Sequence, residues 1–370
     1  MYDVIVVGGG AVGLFLAKNL KEKGNKVLVL EKNKEIGKKV CSGLVSPNIF
    51  KLIDFFPSKN EGLYFLEKEF DKARIWIGKR YYDFEGKAFL LERSLLDRFL
   101  AFEAKNVGVE IKTGERVIDL KEKKDFVLVE TRTIFSSKNQ YKAKIVAGCD
   151  GALSTVAEKV GLLKKKKYLL GIIFYLKKDG KRENFPELFF SLKYFPGFFA
   201  WRIPRKEKIE WGCALLPKYH PKERLQAFLK EKFKISLFKE KYFSSPIPYF
   251  YLKKATKGRI FLCGDSAGQV KPFTGGGLVY GLICAKIASQ TISLNPQSLK
   301  KYDKEWKKIL LREIKTGKFI QKSYFLPDFI KKIGILYLKR ERKKIKDHDF
   351  PFSFFFKRKK TCFEDFSFLK

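Results

Sequence analysis

Gly8, Gly10 and Gly13 stand near the N-terminus in the pattern G-x-G-x-x-G, and Glu31 follows 18 positions beyond Gly13. Glycine at those places lets an anion approach the unpaired N–H groups of a helix N-terminus, where a Cβ would block it. A carboxylate at the distance of Glu31 accepts hydrogen bonds from a ribose, so together the four residues point to a bound dinucleotide. Glutamate there disfavours a 2′-phosphate, which would meet like charge. A second constellation lies far along the chain: Gly264-Asp265, then Pro272 and Gly275-Gly276-Gly277. A carboxylate at a strand end, followed by glycines that open a helix, suits a polyol chain and a partly negative ring edge.

Both constellations need a strand before them and a helix behind. Val4–Val7 is a short apolar, β-branched run that reads as a buried parallel strand, and Gly13, Leu16, Ala17 and Leu20 repeat at helical spacing until Gly24. Val27–Leu30 is the second strand. Gly258–Asp265 predicts another buried strand, and Leu278–Ile292 an apolar helix. Between them, Val40-Cys41-Ser42-Gly43-Leu44 is a turn whose amides could face the far side of a bound dinucleotide, or an ordinary loop with a buried thiol. Residues 73–90 predict a hairpin about Gly78-Lys79, and 91–105 a helix with Arg93 near its N-terminal end. A cation there calls for a compensating anion such as a cofactor phosphate, or is simply solvated. Residues 109–112, 115–120, 126–131 and 141–146 read as a β-meander ending at Asp150-Gly151. Four more strands follow at 169–176, 188–194, 198–203 and 209–215. In the third, Phe199, Trp201 and Ile203 share one face at period two, ahead of Pro204 and Arg205. Such a row roofs an apolar ligand or fills a sheet core.

The rest of the composition narrows the chemistry. Of 370 residues only His220 and His348 are imidazoles, neither beside a nucleophile, and six cysteines show no C-x-x-C, so histidine catalysis, a metal site and a disulfide framework are not expected. A reducing cytoplasm fits. The chain opens on a strand with no room for a signal peptide, and the uncharged run 272–285 is too short and glycine-rich to span a bilayer. The net charge is +38, of which residues 301–370 hold +12 from 21 basic and 9 acidic side chains. So diffuse an excess favours an anionic membrane surface over a nucleic-acid groove, and no nucleic acid is expected. Helical spacing of Trp306, Ile309, Leu310 and Ile314 is followed by Phe329–Leu338 and by Phe350, Phe352 and Phe354–Phe356 among lysines. That segment reads as an interfacial membrane element or as a cap on the substrate domain.

These motifs together resemble the FAD-dependent flavoprotein hydroxylase superfamily and, within it, the geranylgeranyl reductase family, which includes the digeranylgeranylglycerophospholipid reductases. The resemblance covers residues 1–300, and its nearest signatures are the Cys41 turn and Phe199-Ala-Trp201-Arg-Ile203-Pro204, similar to the family's Tyr-x-Trp-x-Phe-Pro strand. It implies an α/β fold: a Rossmann-type FAD-binding domain (1–60, 88–163, 255–300), an inserted antiparallel β-sheet substrate domain (61–87, 164–254) of the p-hydroxybenzoate hydroxylase type, and a C-terminal helical segment (301–370). It implies FAD held by Gly8, Gly10, Val12 and Gly13 at the pyrophosphate and by Glu31 at the ribose. Cys41, Ser42 and Gly43 would lie beside the flavin, and Arg93 and Val117 at the adenosine half. Asp265 would meet the ribityl chain, and Gly276, Gly277 and Leu278 the isoalloxazine edge. Phe199, Trp201, Ile203 and Pro204 would form the substrate pocket. The expected activity is flavin-driven saturation of prenyl double bonds on a lipid-linked substrate, without a protein nucleophile. The protein would be cytoplasmic, peripheral to the inner membrane face, with NAD(P)H or ferredoxin as reductant. An FAD-dependent monooxygenase of an aromatic or polyprenyl substrate shares the same motifs. Phe199 and Ile203 replace the family's tyrosine and phenylalanine, and Ala11-Val12 its Pro-Ala.

Overall fold

The computed structural model describes residues 1–53, 65–178, 183–237, 240–341 and 349. The Phe350–Phe356 cluster, His348 and Cys362 lie outside the described residues.

The chain opens with β1 (Tyr2–Val7), α1 (Ala11–Lys21) and β2 (Val27–Leu30). The strands are almost wholly buried because both faces are covered, which is why they read as unbroken apolar runs. Helix α1 stops before Gly24, whose φ of +83° reverses the chain. A short β3 (Leu44–Val45) and α2 (Asn48–Ile53) precede the long hairpin β4 (Leu66–Ile77) and β5 (Arg80–Leu91). Helix α3 (Arg93–Asn106) is capped by Glu92, whose carboxylate accepts from the Ser94 N–H. Then come β6 (Glu110–Lys112), β7 (Glu115–Glu122), β8 (Val127–Thr133), β9 (Lys138–Gly148) and the one-turn α4 (Thr155–Lys159). The second half runs through β10 (Tyr168–Lys177), β11 (Glu187–Phe190), β12 (Ala200–Pro204), β13 (Lys208–Leu215), α5 (Pro221–Phe233) and β14 (Tyr242–Pro248). It returns through β15 (Thr256–Lys257) and β16 (Ile260–Leu262) to the helices α6 (Leu278–Thr291), α7 (Ser298–Ser323) and α8 (Asp328–Glu341).

Two sheets result. The first has the order β15-β16-β9-β1-β2-β6, with β7 and β8 folded off β9. Here the sequence expectation needs one correction. β6 does not join the meander: it pairs parallel to β2, and only β7, β8 and β9 are antiparallel neighbours. β9 is long enough to serve both arrangements, pairing with β8 at one end and parallel to β1 at the other. The second sheet, β14-β10-β13-β12-β11-β4-β5-β3, is antiparallel except where β11 runs parallel to β4. Each sheet has its own apolar cluster, and Leu299, Tyr302, Trp306, Leu310 and Ile314 of α7 belong to the first. Helix α7 therefore packs on α6 and beside β15 and β16 of the first sheet, while Lys318 near its C-terminal end reaches Tyr249, which packs on the second sheet's cluster.

Candidate active site

The helices opened by the two glycine constellations meet. A Cβ on Gly281, in the first turn of α6, would lie 2.5 Å from Val12 Cγ2, and one on Gly264 would lie 3.2 Å from Val12 Cγ1. Only glycine lets α6 and the Gly264 turn approach Val12 this closely. Both helix N-termini are bare: the residues before α1 and α6 are Gly10 and Gly277, neither end has a side-chain cap, and neither first turn carries an acid. Two partly positive helix ends are thus presented together.

The glycines of the first turn have separate tasks. Gly8 (φ +111°) passes so close to β9 that its Cβ would lie 2.4 Å from the Cys149 carbonyl oxygen, and a Cβ on Gly13 would lie 2.1 Å from the Gly8 oxygen. A Cβ on Gly10 would meet nothing within 4 Å. Gly8 and Gly13 are therefore required by the fold, whereas Gly10 faces open space above the helix end. Glu31, buried at the end of β2, accepts from the Gly9 N–H at 2.7 Å and the Asn33 N–H at 2.9 Å, which fixes its carboxylate beside the turn.

At the α6 end, Asp265 pairs with Lys39 at 2.6 Å, and a Cβ on Gly277 would lie 2.5 Å from Asp265 Oδ1. The Asp265 carboxylate holds the Lys39 ammonium above its ordinary pKa, against the pull of burial. Gly276 accepts from the Lys271 N–H at 3.0 Å, so the glycine loop folds back on Lys271, and Leu278 begins α6 half-buried. The Lys271 side chain pairs at 2.7 Å with Asp349, a buried carboxylate also held by Asn48 at 2.8 Å and by Ser46. Asp150 takes another part: it accepts from Ser154 at 2.6 Å and from the Thr155 N–H at 2.7 Å, and so caps α4.

The Cys41 turn crosses between the sheets. Gly43 (φ +78°) lies against β5, with Leu91 N–H donating to its oxygen at 3.0 Å and no room for a Cβ. Cys41 is a half-buried free thiol beside Arg93. Arg93 is buried and donates to Asp97 at 2.8 Å. Burial acts against its charge, yet Asp97 and Cys41 keep its pKa above the ordinary value. Its Nε is buried with no hydrogen-bond partner among the described residues. Val117 stands apart from these, in the core on β7 opposite Thr131.

Phe199, Trp201, Ile203 and Pro204 are all buried. Phe199 precedes β12 and stacks on Phe198 with ring centroids 4.3 Å apart. Tyr324, just past α7, meets Phe190 and Phe199 edge-on and donates its hydroxyl to the Phe273 carbonyl at 3.0 Å. The Trp201 indole lies over Gly212, where a Cβ would come within 2.4 Å of the ring, and its Nε1–H donates to Glu210 at 2.8 Å. Glu210 also receives Arg205 at 2.7 Å, and Arg205 donates to the Ser42 carbonyl at 2.9 Å. Glu210, Lys39, Lys271 and Tyr324 escape the sequence because none belongs to a motif. The Trp201-x-x-x-Arg205 spacing was the one signal that a polar partner lay behind the aromatic strand.

The residues present fit a flavin dinucleotide. The open space at Gly10 and the paired bare helix ends leave donors for an anionic group between α1 and α6, and Arg93 adds a buried cation beside the Cys41 turn.

Comparison with known proteins agrees. The FAD binding domain family model matches residues 1–179. An uncharacterised protein of Methanocaldococcus jannaschii is 30% identical over 353 residues, covering 87% of this chain and 84% of its own. The digeranylgeranylglycerophospholipid reductase of the same organism is 28% identical, covering 87% of each chain. A geranylgeranyl bacteriochlorophyll reductase-like protein of Thermoplasma acidophilum superposes with a TM-score of 0.81 at 20% identity, covering 100% of this chain and 99% of the other. The p-nitrophenol 4-monooxygenase of Pseudomonas putida, at 0.69 and 20%, covers 87% of this chain and 89% of its own and shares the fold.

Proposed function

The chain belongs to the geranylgeranyl reductase family of FAD-dependent oxidoreductases, and on that footing we propose that it saturates carbon–carbon double bonds in geranylgeranyl chains carried by a membrane lipid. Bound and reduced, FAD would supply the two-electron chemistry, a hydride for one alkene carbon, with a proton completing the other. The chain's own residues bind, orient and exclude water. Gly10, Val12 and Gly13 offer backbone donors to the pyrophosphate, Gly8, whose own N–H is given to the Leu30 carbonyl, shapes the turn that admits it, and Arg93 adds a fixed cation. Glu31 takes the ribose, with Val117 behind the adenosine half. Asp265 faces the ribityl chain, and Gly276, Gly277 and Leu278 the ring edge. Cys41, Ser42 and Gly43 line the flavin side. Phe199, Trp201, Ile203 and Pro204 give the prenyl chain an apolar wall. In this reading residues 1–60, 88–163 and 255–300 form the coenzyme unit, and 61–87 with 164–254 the substrate unit.

The observation that most supports the reading is the hydrogen-bonded chain Trp201–Glu210–Arg205–Ser42. It fixes the aromatic strand against the turn beside the coenzyme site, so an apolar wall and the redox centre are held in one frame. The substrate is met at the cytoplasmic face of the membrane, with NAD(P)H or ferredoxin as the source of electrons.

The test is a single turnover. The FAD-loaded protein, reduced anaerobically, is given a geranylgeranylated glycerophospholipid, and the product is weighed by mass spectrometry. Reoxidation of the flavin without oxygen, with hydrogen added to the lipid, is the expected result. Reoxidation only on admitting oxygen, with an oxygen atom in the product, would make the protein a monooxygenase.

A further inference from the structure

Helix α8 wears its apolar stripe on the outside. Phe329, Ile333, Leu336 and Tyr337 recur at helical spacing and are 63%, 64%, 53% and 48% exposed, while Lys331 on the other side is only 8% exposed and pairs with Asp328 at 3.0 Å. A surface helix ordinarily turns the reverse way. The inner side is seated: Ile335 packs on the core of the second sheet, and Asp328 lies against Gly78 in the β4–β5 turn. The stripe is therefore presented by a docked helix. Phe325 and Leu326, in the connection from α7, add to the exposed apolar surface.

We infer that α8 seats the protein on an anionic bilayer, its outward stripe entering the headgroup boundary while Lys332, Lys339 and Arg340 meet lipid phosphates. Three arguments select lipid as the occupant. Among the described residues no carboxylate lies within ion-pair distance of those three cations, so the rim of the stripe is uncompensated positive charge. The whole chain carries +38, a field that draws it to acidic headgroups. A second copy is disfavoured, since it would add the same excess of positive charge to the contact, whereas acidic headgroups neutralise it. Length fixes the mode of binding: α8 has 14 residues. At about 1.5 Å per residue it falls well short of a hydrocarbon core roughly 30 Å thick, so it lies in the interfacial plane. Among the described residues no helix is long and apolar enough to cross a membrane.

This inference deepens the lipid reading above, but its test needs no turnover. The FAD-loaded full chain is floated with phosphatidylcholine vesicles, with and without phosphatidylglycerol. Wild type should bind the anionic vesicles and scarcely the neutral ones. The Ile333→Glu/Leu336→Glu variant should partition about tenfold more weakly, because carboxylates replace inserted apolar groups beside an acidic surface. It should retain its flavin and unfolding temperature, both side chains being solvent-facing. Lys339→Gln/Arg340→Gln should weaken binding in low salt and lose that difference in high salt. Equal binding by wild type and the glutamate variant would overturn the inference. So would a dimer dissociated by that variant with vesicle binding intact, which would put a second copy on the stripe. Detergent-dispersed substrate separates the two readings: failure to reduce it while vesicles are still bound refutes the activity alone.

Discussion

The Arg205 guanidinium donates to the carbonyl oxygen of Ser42 at 2.9 Å, across 163 positions of sequence. The same cation meets Glu210 at 2.7 Å and Glu67 at 2.7 Å, so one side chain ties the strand that carries Trp201 to the turn that carries Cys41. A planar fork of five donors can satisfy three acceptors at once, whereas an ammonium on a flexible stem holds them less rigidly. Burial pushes the Glu210 carboxyl upward, and Arg205 with the Trp201 indole opposes that shift.

Arg205→Leu should destabilise the protein by about 3–5 kcal/mol, because it strands Glu210 in the core without its cation. Arg205→Lys should cost less, about 1–2 kcal/mol, while still loosening the Cys41 turn. Urea midpoints measure the first effect, and the visible circular dichroism of the bound flavin reads the second. Replacing both partners in Arg205→Leu/Glu210→Leu should recover much of the loss, since removing a buried pair together is often near neutral. If the double variant is as unstable as the sum of the singles, the pair does not act as a unit.

Trp201 is an anchor as well as the proposed wall, and that changes which substitution is informative. Trp201→Ala opens a cavity over Gly212 and should cost about 3–5 kcal/mol, mixing instability with any catalytic effect. Trp201→Phe keeps most of the ring but deletes the N–H given to Glu210. We expect it to retain FAD and fold, with turnover reduced about tenfold if the wall must stay fixed over the prenyl chain. Loss of flavin from the phenylalanine variant would place Trp201 in the coenzyme site instead.

The parts of the site that could be read from sequence are those that are contiguous. β1, α1, β2 and Glu31 lie within 31 residues and obey one steric rule, and Gly264-Asp265 with the Gly275–Gly277 loop obeys another. Lys39 and Lys271 could not be singled out, because each looks like any other lysine in a lysine-rich chain until Asp265 and Asp349 are seen beside them. Glu210 reads as the polar residue of an alternating strand, yet β13 is buried on both faces, so alternation carried no information there. The placement of β6 was hidden for a related reason: three residues long, it has no pattern of its own and takes its direction from β2.

Lys318 gives a pH dependence opposite in sign to that of an ion pair. Its ammonium lies 3.2 Å from the centre of the Tyr249 ring and donates to Gln321 at 3.0 Å. Burial, with Lys167 and Lys322 nearby, lowers its pKa to about 8 from an ordinary 10.5. The folded state therefore binds the proton more weakly than the unfolded chain does. Between pH 8 and 10.5 the unfolded chain holds more protons, so this group makes stability rise with pH across that window. Lys318→Met should accordingly be more stable than wild type at neutral pH by roughly 1–2 kcal/mol, discounted for the water that still reaches the ammonium. The advantage should shrink as the pH passes from 8 to 10.5, followed by urea midpoints in a series of buffers. An advantage that grows with pH would mean the cation has a partner in solution.

The glycines of the two helix ends separate coenzyme binding from folding. A Cβ on Gly10 meets no protein atom within 4 Å, whereas one on Gly13 falls 2.1 Å from the Gly8 oxygen and one on Gly281 falls 2.5 Å from Val12. Gly10→Ala should thus leave the melting temperature of the flavin-free protein unchanged and weaken FAD binding about ten- to a hundredfold, because the added methyl occupies the approach to the α1 amides. Gly13→Ala should fail to fold, the clash being with backbone that cannot move away. Gly281→Ala should lie between: Val12 must shift to accept the methyl, so both the flavin-free stability and the FAD affinity fall together. Thermal unfolding with and without FAD distinguishes the three. A Gly10→Ala protein that still gains the wild-type thermal shift from FAD would move the coenzyme away from the α1 N-terminus, and the assignment of Asp265 and the α6 loop to its other end would fail with it.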